Sequence, residues 1–208
     1  MKASSAVYEV LHLRIVSGKL KPGSRLSVPA IARELDVSRS PVREAVMGLV
    51  GEGLAQETHN RGAVVTRFTP AALVSLYEAR EALEGMAARL AAPRFGTDER
   101  QRMLGILREH DEVARRGDFL RHIEVDAAFH LEIRRTAGSP TILRMLDEIQ
   151  AQVAVAMRST SVSGGMKQAV EEHRAIFDVL VTGEPEGSEQ AARRHIHRLT
   201  GLLKEGAE

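Results

Sequence analysis

Apolar residues near the N-terminus recur every three or four positions. Val7, Val10, Leu11 and Ile15 predict a first helix, with Ser4 or Ser5 as its cap and Gly18 as its stop. Lys21-Pro22-Gly23 is a turn signal. A second short helix is expected from about 28 to 35, turning Ile31 and Leu35 inward, and Asp36-Val37-Ser38 makes a tight connection. Ser40-Pro41 reads as a cap followed by a first-turn proline. The third helix that follows buries Val42, Ala45, Val46, Leu49 and Val50 and stops near Gly53. The period then changes: Leu54 to Glu57 and Ala63 to Arg67 are strand-like, with His59-Asn60-Arg61-Gly62 as the loop between them. Three helices and a β-hairpin make a winged helix-turn-helix.

Thr69-Pro70 opens a different regime, in which the pattern is helical throughout. Six segments are expected at about 70–92, 98–115, 118–136, 140–158, 165–182 and 186–204, with breaks at Gly, Pro and Ser clusters. The predicted fold is therefore mainly α: a winged helix-turn-helix over 1–68, then an all-helical bundle over 69–208.

Charge sharpens this division. Residues 1–68 hold ten Lys/Arg and six Asp/Glu, a net of +4, whereas the remainder holds 19 and 22, a net of −3. The basic half is the one expected to meet a polyanion. Aromatics make up 3% with no Trp, too few for a stacking platform on single-stranded nucleic acid. With 43% hydrophobic residues a packed core is within reach, and with no cysteine there are neither disulfides nor thiolate metal sites. No apolar run approaches the ~20 residues of a membrane span, and Met1 to Val10 contains no apolar signal core. A soluble cytoplasmic protein is expected.

The run Val37-Ser38-Arg39-Ser40-Pro41-Val42-Arg43-Glu44-Ala45 is the most specific signal in the chain. Together with Lys21-Pro22-Gly23, Arg25-Leu26, Glu52-Gly53-Leu54 and the wing Asn60-Arg61-Gly62-Ala63-Val64-Val65, it resembles the GntR family of transcription regulators. The resemblance implies a recognition helix that begins in this run and reads double-stranded DNA. The chemistry agrees. Arg39 and Arg43 are four apart and share one face of the helix end that enters the major groove. Arginine can donate twice to guanine O6 and N7. Ser38, Ser40 and the free N–H groups of a helix start suit phosphates. Gly62 admits the wing backbone to the minor groove and Arg61 adds charge there. Outside this motif, two such arginines would read as ordinary solvated charges. Asp36 stands where the family usually has Gly, at a position expected to need a left-handed turn, with a small stability cost.

The second half resembles the FCD effector domain of the FadR-like branch, in its shorter six-helix form. The matching residues are Tyr77-Glu78-Ala79-Arg80 with Leu83-Glu84, Asp126 with Phe129-His130, Glu171-Glu172-His173-Arg174-Ala175-Ile176, and His195-Ile196. The family's Gly-Asn pair appears here as Gly138-Ser139. The resemblance implies a divalent metal, zinc or nickel, held by Asp126, His130, His173 and His195. Asp126 and His130 are i and i+4 on one helix face and can chelate one ion, and a bundle can bring the last two helices to the same interior point. His122 lies on that face too, and His197 is two residues from His195, so both remain alternatives. Arg80, on the helix that resembles the family's ligand-contacting helix, is the candidate for recognising a carboxylate effector; a salt bridge to Glu84 is the plainer role. A homodimer on a palindromic operator is implied, acting as a repressor. Two other readings are a metal-dependent hydrolase with an accessory DNA-binding head and an architectural DNA binder without effector.

Overall fold

The structure, a computed structural model, describes residues 3–58, 62–160 and 165–205. Its contacts group into two compact units: Met1–Phe68 with Ala151–Ser161, and Thr69–Gln150 with Val162–Glu208.

The first unit contains helix α1 (Ala3–Val16), strand β1 (Arg25–Leu26), helices α2 (Val28–Glu34) and α3 (Arg39–Gly51), and strands β2 (Ala55–Thr58) and β3 (Gly62–Val65). The strands form an antiparallel sheet in the order β1-β3-β2, with Ala55 opposite Val65, Thr58 opposite Gly62 and Leu26 opposite Ala63. Val7, Leu11 and Ile15 of α1 meet Ile31, Val42, Ala45, Val46 and Leu49, and the core closes on Leu54, Ala63 and Val65. Alternation along β3 explains its register: Ala63 and Val65 are buried and Val64 between them is not.

Three local features differ from the sequence expectation. The first helix already includes Ser4 and Ser5, so neither caps it. The third helix starts at Arg39 with Ser38 at the cap position, which places Pro41 third in the helix. That position is tolerated because the first N–H groups of a helix have no intrahelical acceptor to lose. Strand β1 is new: Gly23 N–H donates to Val65 O (2.8 Å) and Val65 N–H to Ser24 O (2.9 Å), adding a third strand too short to show periodicity. Asp36 has φ +51°, the left-handed turn expected there, and is alone among the described non-glycine residues in that region.

The second unit contains α4 (Pro70–Ala91), a 3₁₀ turn (Ala92–Arg94), α5 (Thr97–Arg116), α6 (Phe119–Ala137), α7 (Pro140–Thr160), α8 (Met166–Leu180) and α9 (Pro185–Glu205). Residues 151–160 of α7 group with the first unit. Side-chain caps start α4 and α6, where Thr69 Oγ1 accepts from Ala72 N–H at 3.2 Å and Asp118 Oδ1 from Arg121 N–H at 3.1 Å, and Ser139 and Glu184 do the same for α7 and α9. Gly117 and Gly138, both left-handed, end α5 and α6. Helix α4 lies along α9 at close range: a Cβ on Gly85 would stand 2.5 Å from Arg193 Cγ. Ala87, Ala88 and Ala91 bury the same helix against Ala191 and Ala192, while Phe129, Ile133, Leu146, Ile176 and Leu180 fill the centre. Helix α6 contacts α4, α5 and α8, so its inward residues reach the middle of the bundle. Among the described residues no helix is long and apolar enough to cross a membrane.

Candidate functional site

The amphipathic pattern of α6 turns Asp126, Phe129, His130 and Ile133 inward on successive turns. His173 enters from α8, among Ala169, Val170 and Ile176, and His195 from α9, beside Ala191, Ala192 and Ile196. One ligand atom from each of Asp126, His130, His173 and His195 lies within 4.8 Å of every other, and all four residues are buried. Sequence spacing had linked only the first two.

The nitrogen roles favour a cation. His195 Nδ1 is 2.6 Å from Glu172 Oε2, and His130 Nδ1 is 3.3 Å from Glu84 Oε1. A carboxylate only accepts, so both Nδ1 atoms carry hydrogen, and in a neutral ring that leaves the Nε2 lone pair as the ligand atom. His195 Nε2 is 3.3 Å from His173 Nε2, which is 3.5 Å from Asp126 Oδ1. His130 Nε2 is buried with no hydrogen-bond partner. Three imidazole nitrogens and a carboxylate oxygen form a donor set that fits a zinc-type divalent ion, and Glu84 and Glu172 behind two of the imidazoles are the outer carboxylates that orient such ligands.

The electrostatics point the same way. Burial would raise Glu84, but His130, Arg134 and Arg80 hold it well below the usual carboxylate range. Burial opposes ionisation of Asp126 as well, and His130 and Arg80 outweigh it. Glu172 is brought down to about 2 because hydrogen bonds from His195 and Arg198 overcome its partial burial. Burial, reinforced by the other imidazoles and Arg80, pushes His173 well below its ordinary value; burial also lowers His130, against the pull of Glu84. Both are therefore available as neutral ligands at pH 7.

Two further histidines adjoin the cluster. His110 of α5, to which the sequence assigned no role, is fully buried; its Nε2 is 2.8 Å from His122 Nδ1 and its Nδ1 is 3.3 Å from His173 Nδ1. Burial lowers His110 to about 4 and lowers His122 also. His122, one of the two alternatives, meets His110 and also has a ligand atom within 4.8 Å of Asp126, whereas His197 is 78% exposed and 3.1 Å from Glu81.

Four buried histidines with lowered pKa predict an acid-labile metal-free protein. Each binds a proton in the unfolded chain near pH 6.5 but in the folded chain only at lower pH, so the unfolded state holds more protons in between and stability falls as pH drops. Each contributes up to about 1.4 kcal/mol per pH unit in that window. For a chain of this size the melting temperature is expected to fall by on the order of 10 °C between pH 6.5 and 5.5. A flat thermal-denaturation profile over that range would contradict the burial of these groups.

Arg80 is 1% exposed, with Nε 3.5 Å from Glu84 Oε1 and Nη2 3.9 Å from Asp126 Oδ2. Neither nitrogen has a hydrogen-bond partner. Arg134, one turn after His130 on α6, is equally buried and is joined through Nη2 to Glu84 and, at 3.1 Å, to Gln150 Oε1.

On the first unit, Ser38, Arg39, Ser40 and Arg43 are all exposed at the start of α3, while Val42, Ala45 and Val46 are buried. Among the described residues neither guanidinium has an ion-pair partner. Ser40 Oγ donates to Glu44 Oε1 at 3.4 Å. Gly62 is exposed, has φ +77° and would admit a Cβ without contact, so its left-handed backbone and not crowding calls for glycine. Arg61 lies outside the described residues.

A winged helix-turn-helix with an unpaired basic face on its third helix, followed by a helical unit built around buried ligand-type side chains, defines a DNA-binding transcription regulator. Residues 3–65 match the bacterial regulatory proteins of the gntR family and residues 75–198 match the FCD domain. The chain is 31% identical over 193 residues to a probable D-xylose utilization operon transcriptional repressor of Paenarthrobacter nicotinovorans, covering 93% of this chain and 85% of that protein. It is 28% identical to the HTH-type transcriptional regulator LutR of Bacillus subtilis, covering 91% and 95%. In structure it is similar to E. coli McbR/YncC over the whole of both chains, with a TM-score of 0.84 at 20% identity, a likeness of fold. The chain belongs to the GntR family, in the FadR-like subfamily that carries an FCD domain.

Proposed function

We propose that the protein is a cytoplasmic, homodimeric repressor that releases a palindromic operator when a small carboxylate binds at a metal centre in its helical domain. In this reading residues 1–68 contact DNA through Ser38, Arg39, Ser40, Arg43, Arg61 and Gly62, and residues 69–208 hold the effector and the dimer contact. Asp126, His130, His173 and His195 would hold zinc or nickel, which supplies a Lewis-acidic position for a carboxylate oxygen. Repression is supported by the name of the D-xylose operon relative.

The observation that carries the effector reading is Arg80. A guanidinium withdrawn from water whose Nε and Nη2 meet Glu84 and Asp126 only at ion-pair range, 3.5 and 3.9 Å, has its charge balanced but its hydrogen bonds incomplete, which is costly. A carboxylate within reach of both Arg80 and the ion would satisfy it by charge-assisted hydrogen bonds. Effector binding lowers operator affinity by as much as it prefers the conformation that binds DNA less well.

The test is a thermal-shift screen of the full-length protein against organic acids, with metal content and sedimentation mass measured on the same sample. A stabilising acid is expected, because a ligand that binds only the folded state raises its melting temperature. Arg80→Gln should keep the metal and lose at least ten-fold in affinity for that acid. An acid that stabilises Arg80→Gln as well as the parent, or a monomeric mass, would reject the corresponding part of the reading.

A further inference from the structure

The three imidazoles of the metal centre differ in what stands behind them. Ionised carboxylates, Glu84 and Glu172, receive Nδ1–H from His130 and His195. No carboxylate stands behind His173. Its Nδ1 faces His110 Nδ1 at 3.3 Å, and His110 Nε2 faces His122 Nδ1 at 2.8 Å. His110 is 0% and His122 5% exposed, so water cannot readily replace either contact.

A neutral imidazole has one donor and one acceptor nitrogen. A row of three therefore runs consistently in only two directions. In one of them His173 donates from Nδ1 to His110 Nδ1, His110 donates from Nε2 to His122 Nδ1, and His122 carries its hydrogen on Nε2. That direction leaves the His173 Nε2 lone pair free toward Asp126 and His195. The ring plane of His173 is already set by Phe129, stacked on it at 3.9 Å between centroids and 6° between planes. Its tautomer is the remaining variable.

We propose, resting on the metal reading above, that His110 and His122 are positioning residues for His173: a two-imidazole outer shell that selects its Nδ1–H tautomer and so points its lone pair at the ion. They take the place that Glu84 and Glu172 occupy for the other two ligands. His110, His122 and Asp126 also lie within 4.8 Å of one another, so distance alone admits a second ion there. Charge argues against it. Both dications would have to share Asp126, with Arg80 Nη2 3.9 Å from the same carboxylate.

The experiment measures zinc binding by competition with a chelating dye on the full-length protein, its His110→Leu and its His110→Asn, together with ¹⁵N NMR of the histidine rings in the zinc-loaded parent. The parent should bind one zinc per chain. His110→Leu should still bind one, about 10- to 100-fold more weakly, the usual effect of removing an outer-shell partner. His110→Asn should recover most of that loss, since its amide oxygen accepts where Nδ1 did. The ¹⁵N spectrum should show His110 and His122 as Nε2–H tautomers with no metal-bound nitrogen. Equal affinity in the parent and His110→Leu, no rescue by Asn, or an Nδ1–H tautomer at either residue would overturn the proposal. A second zinc in the parent that disappears in His110→Leu would overturn it in favour of a second ion. No zinc at all would instead reject the metal centre. If His110→Leu fails to fold, the NMR spectrum of the parent decides alone.

Discussion

Arg43→Ala is expected to remove most of the specific operator affinity while leaving the fold intact. Arg43 is exposed on α3, on the turn after Arg39, and supports no described ion pair, so its loss costs the fold little. A lost bidentate contact to guanine is worth about 1–3 kcal/mol for each half-site. For a dimer on two half-sites the combined effect is roughly 30-fold to more than 10⁴-fold in Kd. Binding to random DNA should change far less, because it rests on phosphate charge. The comparison is made by titrating the parent and the variant against operator and random duplexes at one salt concentration. An equal loss on both duplexes would show that Arg43 touches only phosphate.

Removal of the metal should have the second largest effect. An ion present at a thousand times its Kd stabilises the folded state by about 4 kcal/mol. In a chain of this size each kcal/mol moves the melting temperature by about 2–4 °C. Chelation should therefore lower it by roughly 8–16 °C, and zinc should restore it. His173→Ala should abolish the response to chelator and weaken effector binding, yet leave operator binding in the absence of effector largely intact. His197→Ala, a substitution of an exposed residue held by Glu81, should behave like the parent. Metal affinity should fall on acidification only below about pH 6.5, because ligation needs neutral imidazoles and burial keeps His130 and His173 below that value. The site assignment fails if protein purified without chelator contains no ion and added zinc or nickel gives no stabilisation.

Local periodicity and local stereochemistry were enough to determine much of this protein. The helices of both units, the hairpin, the left-handed Asp36 and the Asp126–His130 pair all depend on residues within one or two turns of each other. That is the range over which sequence spacing defines a helix face or a strand face. Where two local signals competed, spacing gave no decision. Ser38 and Ser40 are both good caps, and the backbone at Arg39 settled the start of α3. Strand β1 has two residues and exists only because Val65 pairs with Gly23 and Ser24.

The centre of the helical unit was beyond that range. His195 and His197 are about 200° apart around a helix, so only one can face inward, and the packing of α9 against α4 and α8 buries the first and exposes the second. Arg134 has the same sequence appearance as a solvated arginine, and its burial depends on Glu84, fifty positions away. His110 carries no signal in its own helix. Its partners come from α6 and α8, 12 and 63 residues distant. Spacing can say which side chains share a face, but only packing decides which faces meet, and buried polar groups take their roles from the partners found there.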